Sequence, residues 1–161
     1  MKDQAWCVEK VVSGGQTGVD RAGLDAALEL GIPCGGWCPK GRRAVDGVIP
    51  DKYPLTETSA ENYNRRTEWN VRDSDATLIL NEGAFEGGTA VTQVYAEKHK
   101  RPCLVVALDQ KHDHAPVRKW LADNRIKVLN VAGPREEKRP GIHQRAWDFL
   151  RILFSGCPEG Q

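Results

Sequence analysis

The chain predicts an α/β fold: a Rossmann-like three-layer domain with a mostly parallel sheet of about five or more strands and helices on both faces. Three observations carry this expectation. Apolar runs at residues 8–12, 76–80, 102–108 and 127–131 have the length and continuity of buried parallel strands. Longer stretches between them carry apolar residues at helical spacing. Twice a strand run breaks into glycines just before a helix, at Ser13-Gly14-Gly15 and around Gly87-Gly88-Thr89. Strands that alternate with helices need crossover connections, which produce a parallel sheet covered on both faces. The 161 residues are read as one domain, 1–161, with a sizeable core.

In chain order, Met1 to Cys7 is a lead-in, and Val8, Val11 and Val12 mark the first strand. The helix after the glycine turn places Val19, Ala22, Ala26, Ala27 and Leu30 on one face. Thr17 is its expected N-cap, Asp20 the acid three residues on, Gly31 its C′ residue and Pro33 its stop. Ile32 to Trp37 predicts a short second strand with a glycine kink. Cys38 to Glu57, with three prolines and two glycines, predicts a long loop or hairpin carrying the cluster Lys40, Arg42 and Arg43. Thr58 to Asp73 predicts a helix opened by a Thr58–Glu61 capping box. Its inward stripe contains Thr67 and Asn70, polar residues that need partners in a neighbouring loop or a ligand, while Arg65, Arg66 and Glu68 read as surface.

Ala76 to Leu80 predicts a central strand, followed by a glycine-rich loop and a helix from Ala90 to Lys100 with Thr89 as N-cap. Pro102 to Leu108 is a further strand, and His112, Asp113 and His114 fall in a polar surface loop. A helix over 116–124, a fifth strand over 127–131 and a loop from Ala132 to Arg135 follow. Residues 136–140 are charged, and 141–154 form the last helix, with a stripe of Ile142, Ala146, Phe149, Leu150 and Leu153.

A net charge of +1 makes no electrostatic case for nucleic acid or a membrane surface. No apolar run is long enough to span a bilayer, and no secretory pattern opens the chain. The five cysteines, an odd number, predict reduced thiols in the cytoplasm, and no metal site is expected.

A strand, glycine turn and helix gather backbone N–H groups and a positive helix end at one point, which suits an oxyanion. The first turn is not a Walker loop, because no Gly-Lys-Ser/Thr follows. It comes close to a dinucleotide fingerprint, with Ser13 at the first glycine position, but the downstream ribose acid is missing and Lys40, Arg42 and Arg43 stand in its region. A ligand richer in phosphate fits better. Gly14, Gly15, Gln16, Thr17 and Gly18 are expected to form one half of the phosphate cradle, with Asp20 in the first helical turn. Gly87, Gly88 and Thr89 form the other half if the first and central strands are neighbours at a topological switch point. Lys40 and Arg42 are the candidate clamp. Trp37 or Asn81 is the candidate contact on the ring side, and Asn70 a further polar contact.

Four blocks, GGQTGVDRAGLDAAL at Gly14 to Leu28, PKGRRAVDGVIPDKYPL at Pro39 to Leu55, RTEWNVRDSDATLIL at Arg66 to Leu80 and EGGTAVT at Glu86 to Thr92, resemble the putative molybdenum carrier family. This family is similar to a wider Rossmann-like group that includes molybdenum cofactor carriers and the lysine decarboxylase-like phosphoribohydrolases. The resemblance implies a cytoplasmic homo-oligomer, a dimer or tetramer, that binds molybdenum cofactor or a nucleotide-like phosphorylated ligand. No nucleic-acid or membrane partner is expected, on the near-neutral charge given above. The related hydrolases share a Pro-Gly-Gly-x-Gly-Thr-x-x-Glu motif with a catalytic Glu, and this chain has Thr92 there. The expected function is therefore a small-molecule binding protein or carrier. The alternatives are a nucleotide-processing hydrolase using Glu82 or Glu86, the weak catalytic candidates, and a sensor of a nucleotide-derived ligand.

Overall fold

A computed structural model describes residues 6–156. The lead-in expected at Met1 to Cys7 lies mostly outside them, as does Cys157. The elements run β1 (Lys10–Val12), α1 (Val19–Leu30), β2 (Cys34–Gly35), β3 (Trp37–Cys38), β4 (Arg43–Ala44), β5 (Gly47–Val48), β6 (Thr56–Glu57), α2 (Tyr63–Arg72), β7 (Ala76–Asn81), α3 (Gly87–Lys98), β8 (Cys103–Ala107), α4 (His114–Asp123), β9 (Val128–Ala132) and α5 (Ile142–Leu153). Five strands form the central sheet in the order β2-β1-β9-β7-β8, and every pairing is parallel. The expected Rossmann-like α/β architecture is the observed one.

The position of β9 departs from expectation. β1 and β7 are not neighbours, because β9 pairs with both, through Val11↔Leu129 on one side and Thr77↔Asn130 on the other. Started at β9 and continued through β1, β2, β7 and β8, the strand order would be 3-2-1-4-5, a doubly wound order, so the chain has the connectivity of a circular permutation.

The two sheet faces differ in chemistry. Strand alternation sends Val11, Leu78, Leu80, Leu129 and Val131 into an apolar core with α1, α4 and α5. There the α5 stripe is buried from Ile142 to Leu153 as its spacing predicts. Thr77, Ile79 and Asn81 of β7 and Asn130 of β9 alternate to the other face, beneath α2 and α3. On that face the Asn130 amide donates to the Thr77 hydroxyl at 3.1 Å, both side chains buried. The buried residues of α3 are Thr89, Thr92 and Ala96, so this helix seals its face with little apolar surface.

Several expected boundaries shift for local reasons. The second strand divides at Gly36: β2 joins the central sheet, and β3 pairs in parallel with β6. The loop over 38–57 contains the antiparallel β4–β5 hairpin. Asn62 caps α2 by accepting from the Arg65 N–H, whereas Thr58 closes a tight turn with Ala60. No capping box forms at Thr58. Asp113 caps α4, and His114, its first residue, stacks on Phe149. Cys34, Cys38 and Cys103 are free thiols. Cys7 is disulfide-bonded, so the expectation of reduced cysteines fails there. Among the described residues no helix is long and apolar enough to cross a membrane, and no group of three or more His, Cys, Asp or Glu could hold a metal.

Candidate functional site

The first glycine turn is fully buried, and four N–H groups of the turn and the helix start already have acceptors. Gly15 N–H donates to Ser13 Oγ, Gln16 N–H to Asp20 Oδ2, Thr17 N–H to Gln16 Oε1 and Val19 N–H to the Pro134 carbonyl. Gly18, not Thr17, is the N-cap of α1, with φ 82°, and a Cβ there would collide with the Pro134 carbonyl. Thr17 turns away: its hydroxyl donates to Glu137 and accepts from the Glu136 N–H. Asp20 takes the place an external anion would hold, and Arg66 pairs with it at 2.8 Å. Burial, the strongest influence, pushes the Asp20 carboxyl above its ordinary value, against the opposing pull of Arg66 and the Gln16 amide. Gly14 is what lets Arg66 in, since a Cβ there would overlap its guanidinium.

Next to this turn, a cavity of about 290 Å³ opens at the C-terminal ends of β9 and β7, bounded by α2, α3 and the loop after β9. Its volume lies near the lower end of the usual range for small-molecule sites. The N-terminus of α3 borders it through Gly88 and Thr89, and no side chain caps that helix. Arg66, Arg135, Lys138 and Arg139 surround the opening with positive charge. Arg66 Nε, Arg135 Nε and Asn81 Oδ1 are buried polar atoms with no hydrogen-bond partner. The cavity thus offers free amide and guanidinium donors to an anion and one free amide oxygen to a donor.

Of the residues singled out in the sequence, Gly14, Gln16, Asp20, Asn70, Asn81, Glu86, Gly88 and Thr89 line the cavity. Gly15, Thr17, Gly18, Trp37, Lys40, Arg42, Glu82 and Gly87 do not. Arg42 is occupied elsewhere, its guanidinium donating to the carbonyls of Ile49, Pro50, Tyr53 and Leu55. Lys40 is exposed. The β4–β5 hairpin docks on the first glycine turn and α1, with the Val45 N–H on Gln16 Oε1 and Asp46 on the Arg21 guanidinium. Trp37 Nε1 donates to Asp73, and its ring meets Trp69 edge-on at 4.8 Å. Asn70 satisfies the Trp37 backbone in both directions, with distances of 2.8 and 2.9 Å, so both ends of its amide are spent.

The acids differ in availability. Glu82 is 10% exposed at its side chain and held by both arms of Arg145. Glu86 lies on the cavity rim, 58% exposed at its side chain, with Arg139 at 3.4 Å. Thr92, at the hydrolase glutamate's position, donates back to the Gly88 carbonyl at 2.9 Å. Sequence reasoning placed Arg66 on the surface. Its spacing carried the missing signal, because Tyr63, Arg66, Thr67 and Asn70 occupy i, i+3, i+4 and i+7 and all four line the cavity. Asn130 and Arg135 were also missed, because their place at the switch point depends on β9 entering the middle of the sheet.

A family model described as the circularly permutated YpsA SLOG family matches residues 11–154. A crystal structure of a putative molybdenum carrier protein from Syntrophus aciditrophicus SB superimposes with a TM-score of 0.92 at 44% sequence identity, covering 96% of this chain and 99% of that one. No functionally curated protein matches. The matched span, the close structural relative and a strand order that becomes doubly wound when read from β9 agree with one another, and the chain belongs to the circularly permutated YpsA SLOG family.

Proposed function

We propose that this protein binds a phosphorylated, ring-containing small molecule in the cavity at the ends of β9 and β7, and carries it without converting it. The observation that carries this reading is the uncapped N-terminus of α3 facing Arg135, Lys138 and Arg139. Backbone N–H groups, the positive helix end and guanidinium groups converge there on the space a phosphate would fill. Asn81 and Val91, which also line the cavity, are the residues this reading sets against the ring.

Molybdenum cofactor is the candidate cargo, in keeping with the description of the 44% identical relative as a putative molybdenum carrier protein, and a nucleotide-like phosphorylated ligand is the alternative. The donor set fits either one: cationic donors for a phosphate, and a buried amide oxygen for a nitrogen-rich ring. Cys34, Cys38 and Cys103 lie outside the cavity lining, so none of these thiols is offered to a metal. A carrier role is supported by the state of the acids, with Asp20 neutralised by Arg66 and Glu82 by Arg145. A homo-oligomer is part of the proposal, supported by the half-exposed β8 strand and the exposed Val94 of α3.

Two measurements test it. Small molecules released by denaturing freshly purified protein are identified by mass spectrometry, pterin fluorescence and metal analysis. Calorimetry then compares GMP with guanosine, and AMP with adenosine, on the wild type and on Arg135→Ala. The expected result is at least about tenfold tighter binding of the phosphorylated partner, lost in Arg135→Ala. Equal affinity of nucleotide and nucleoside overturns the site. Release of free base that disappears in Glu86→Gln replaces the carrier with a hydrolase.

A further inference from the structure

Five buried side-chain nitrogen or oxygen atoms among the described residues lack a hydrogen-bond partner, and Asn81 Oδ1 is the acceptor among them. The others, on Arg66, Arg118, Arg135 and Trp147, are donors. Asn81 is 5% exposed and lines the cavity.

Its orientation is not free. Asn81 Nδ2 donates to the Gly83 carbonyl at 3.3 Å, and a flipped amide would set two carbonyl oxygens against each other. The Gly83 N–H is itself occupied by Asp109 at 2.9 Å. The backbone is equally fixed, since Asn81 pairs with Ala107 in the sheet and its carbonyl accepts from the Leu108 N–H at 2.8 Å. Nor does a neighbouring polar side chain donate to it: Asn70 Nδ2 donates to the Trp37 carbonyl, Asn130 Nδ2 to Thr77 and the Thr92 hydroxyl to Gly88, and Asn81 Oδ1 has no partner. A rigid, buried acceptor in the cavity lining is left for the ligand to satisfy.

Resting on the binding reading above, we infer that Asn81 determines ligand specificity by selecting molecules that present an N–H or O–H donor at the end of β7. A ligand that presents a carbonyl or ring acceptor there leaves two lone pairs facing each other and is rejected. The shared chemistry is the donor, and it comes from an amino group on the ring or a hydroxyl on the sugar.

Calorimetry with matched pairs separates these sources. GMP against IMP isolates a 2-amino group, AMP against purine riboside monophosphate a 6-amino group, and GMP against dGMP the 2′-hydroxyl. In the wild type at least one pair is expected to differ by about 10- to 100-fold in favour of the donor-bearing member. In Asn81→Leu that ratio falls to within about twofold, while the preference for GMP over guanosine persists. If Asn81→Leu fails to fold, Asn81→Ala carries the same comparison. Phosphate-dependent binding in the wild type with no pair discriminated, or discrimination that survives the Asn81 substitution, overturns this inference and leaves the anion site standing. No preference for nucleotides over nucleosides in the wild type overturns both.

Discussion

Arg66→Met tests the electrostatic core of the site. It removes the guanidinium facing Asp20 at 2.8 Å, in a pair whose side chains are only 12% and 6% exposed. Removing one partner of a buried ion pair costs about 3–5 kcal/mol, because the remaining charge stays desolvated. Asp20 keeps the Gln16 N–H at 3.2 Å, which places the expected cost near the lower end, about 3 kcal/mol. For a chain of 161 residues that lowers the melting temperature by about 6–12 °C. The pH dependence has a defined sign. Burial already raises the Asp20 carboxyl above its ordinary 3.8, and loss of Arg66 raises it further. A carboxyl raised in the folded state contributes stability that is complete below 3.8 and is lost as pH rises through its folded value. The deficit of Arg66→Met therefore shrinks as the pH is lowered from neutral. Urea unfolding at pH 7 and pH 5 measures it, and Asp20→Asn closes the cycle. Removing both charges is expected to recover about 1–3 kcal/mol of the summed single-variant losses. A single-variant cost below about 1 kcal/mol, or a double variant as unstable as the sum of its parts, refutes the buried-pair reasoning.

Three further substitutions separate binding from folding. A Cβ at Gly88 meets nothing within 4 Å, so Gly88→Ala should leave both folding and GMP affinity intact. Gly88→Asp places a carboxylate on the uncapped first turn of α3, which should raise stability by about 0.3–1 kcal/mol while weakening GMP binding more than about tenfold, and undiminished affinity would count against the anion site. Arg42→Lys cannot span the four carbonyls that the guanidinium now reaches. It should speed hydrogen exchange across residues 42–55 while GMP affinity stays within about twofold, and a tenfold loss of affinity would restore Arg42 as a ligand clamp.

How much could be read beforehand follows the range of the interactions involved. The α5 stripe and the β7 run depend on local periodicity, and both elements formed nearly where expected. Caps were less legible because several residues compete for one helix end: Asn62 rather than Thr58 at α2, Glu86 rather than Thr89 at α3. Least legible were side chains whose partners are distant in sequence. Arg66 looked solvated within a polar helix, yet Asp20, 46 residues earlier, draws it inward. Arg42 looked like a phosphate ligand, yet the carbonyls of its own loop take all its reach. A guanidinium satisfies any dense set of oxygens, so sequence alone does not distinguish a ligand phosphate from four backbone carbonyls.

The permuted strand order explains why the more conspicuous glycine turn is the less available one. In the order β2-β1-β9-β7-β8, the crevice where strand direction of travel reverses lies between β9 and β7. The turn after β1 is one strand removed from that crevice, where it can close on its own acceptors, Ser13, Gln16, Asp20 and Pro134. The loops that do border the crevice come from β9 and β7. One supplies Arg135, Lys138 and Arg139, and the other the bare N-terminus of α3. Anion-binding capacity thus follows position in the sheet rather than glycine content. A glycine-rich turn donates to a ligand only where the fold leaves its amides unclaimed, and before α1 Ser13, Gln16, Asp20 and Pro134 have claimed those of Gly15, Thr17, Gln16 and Val19.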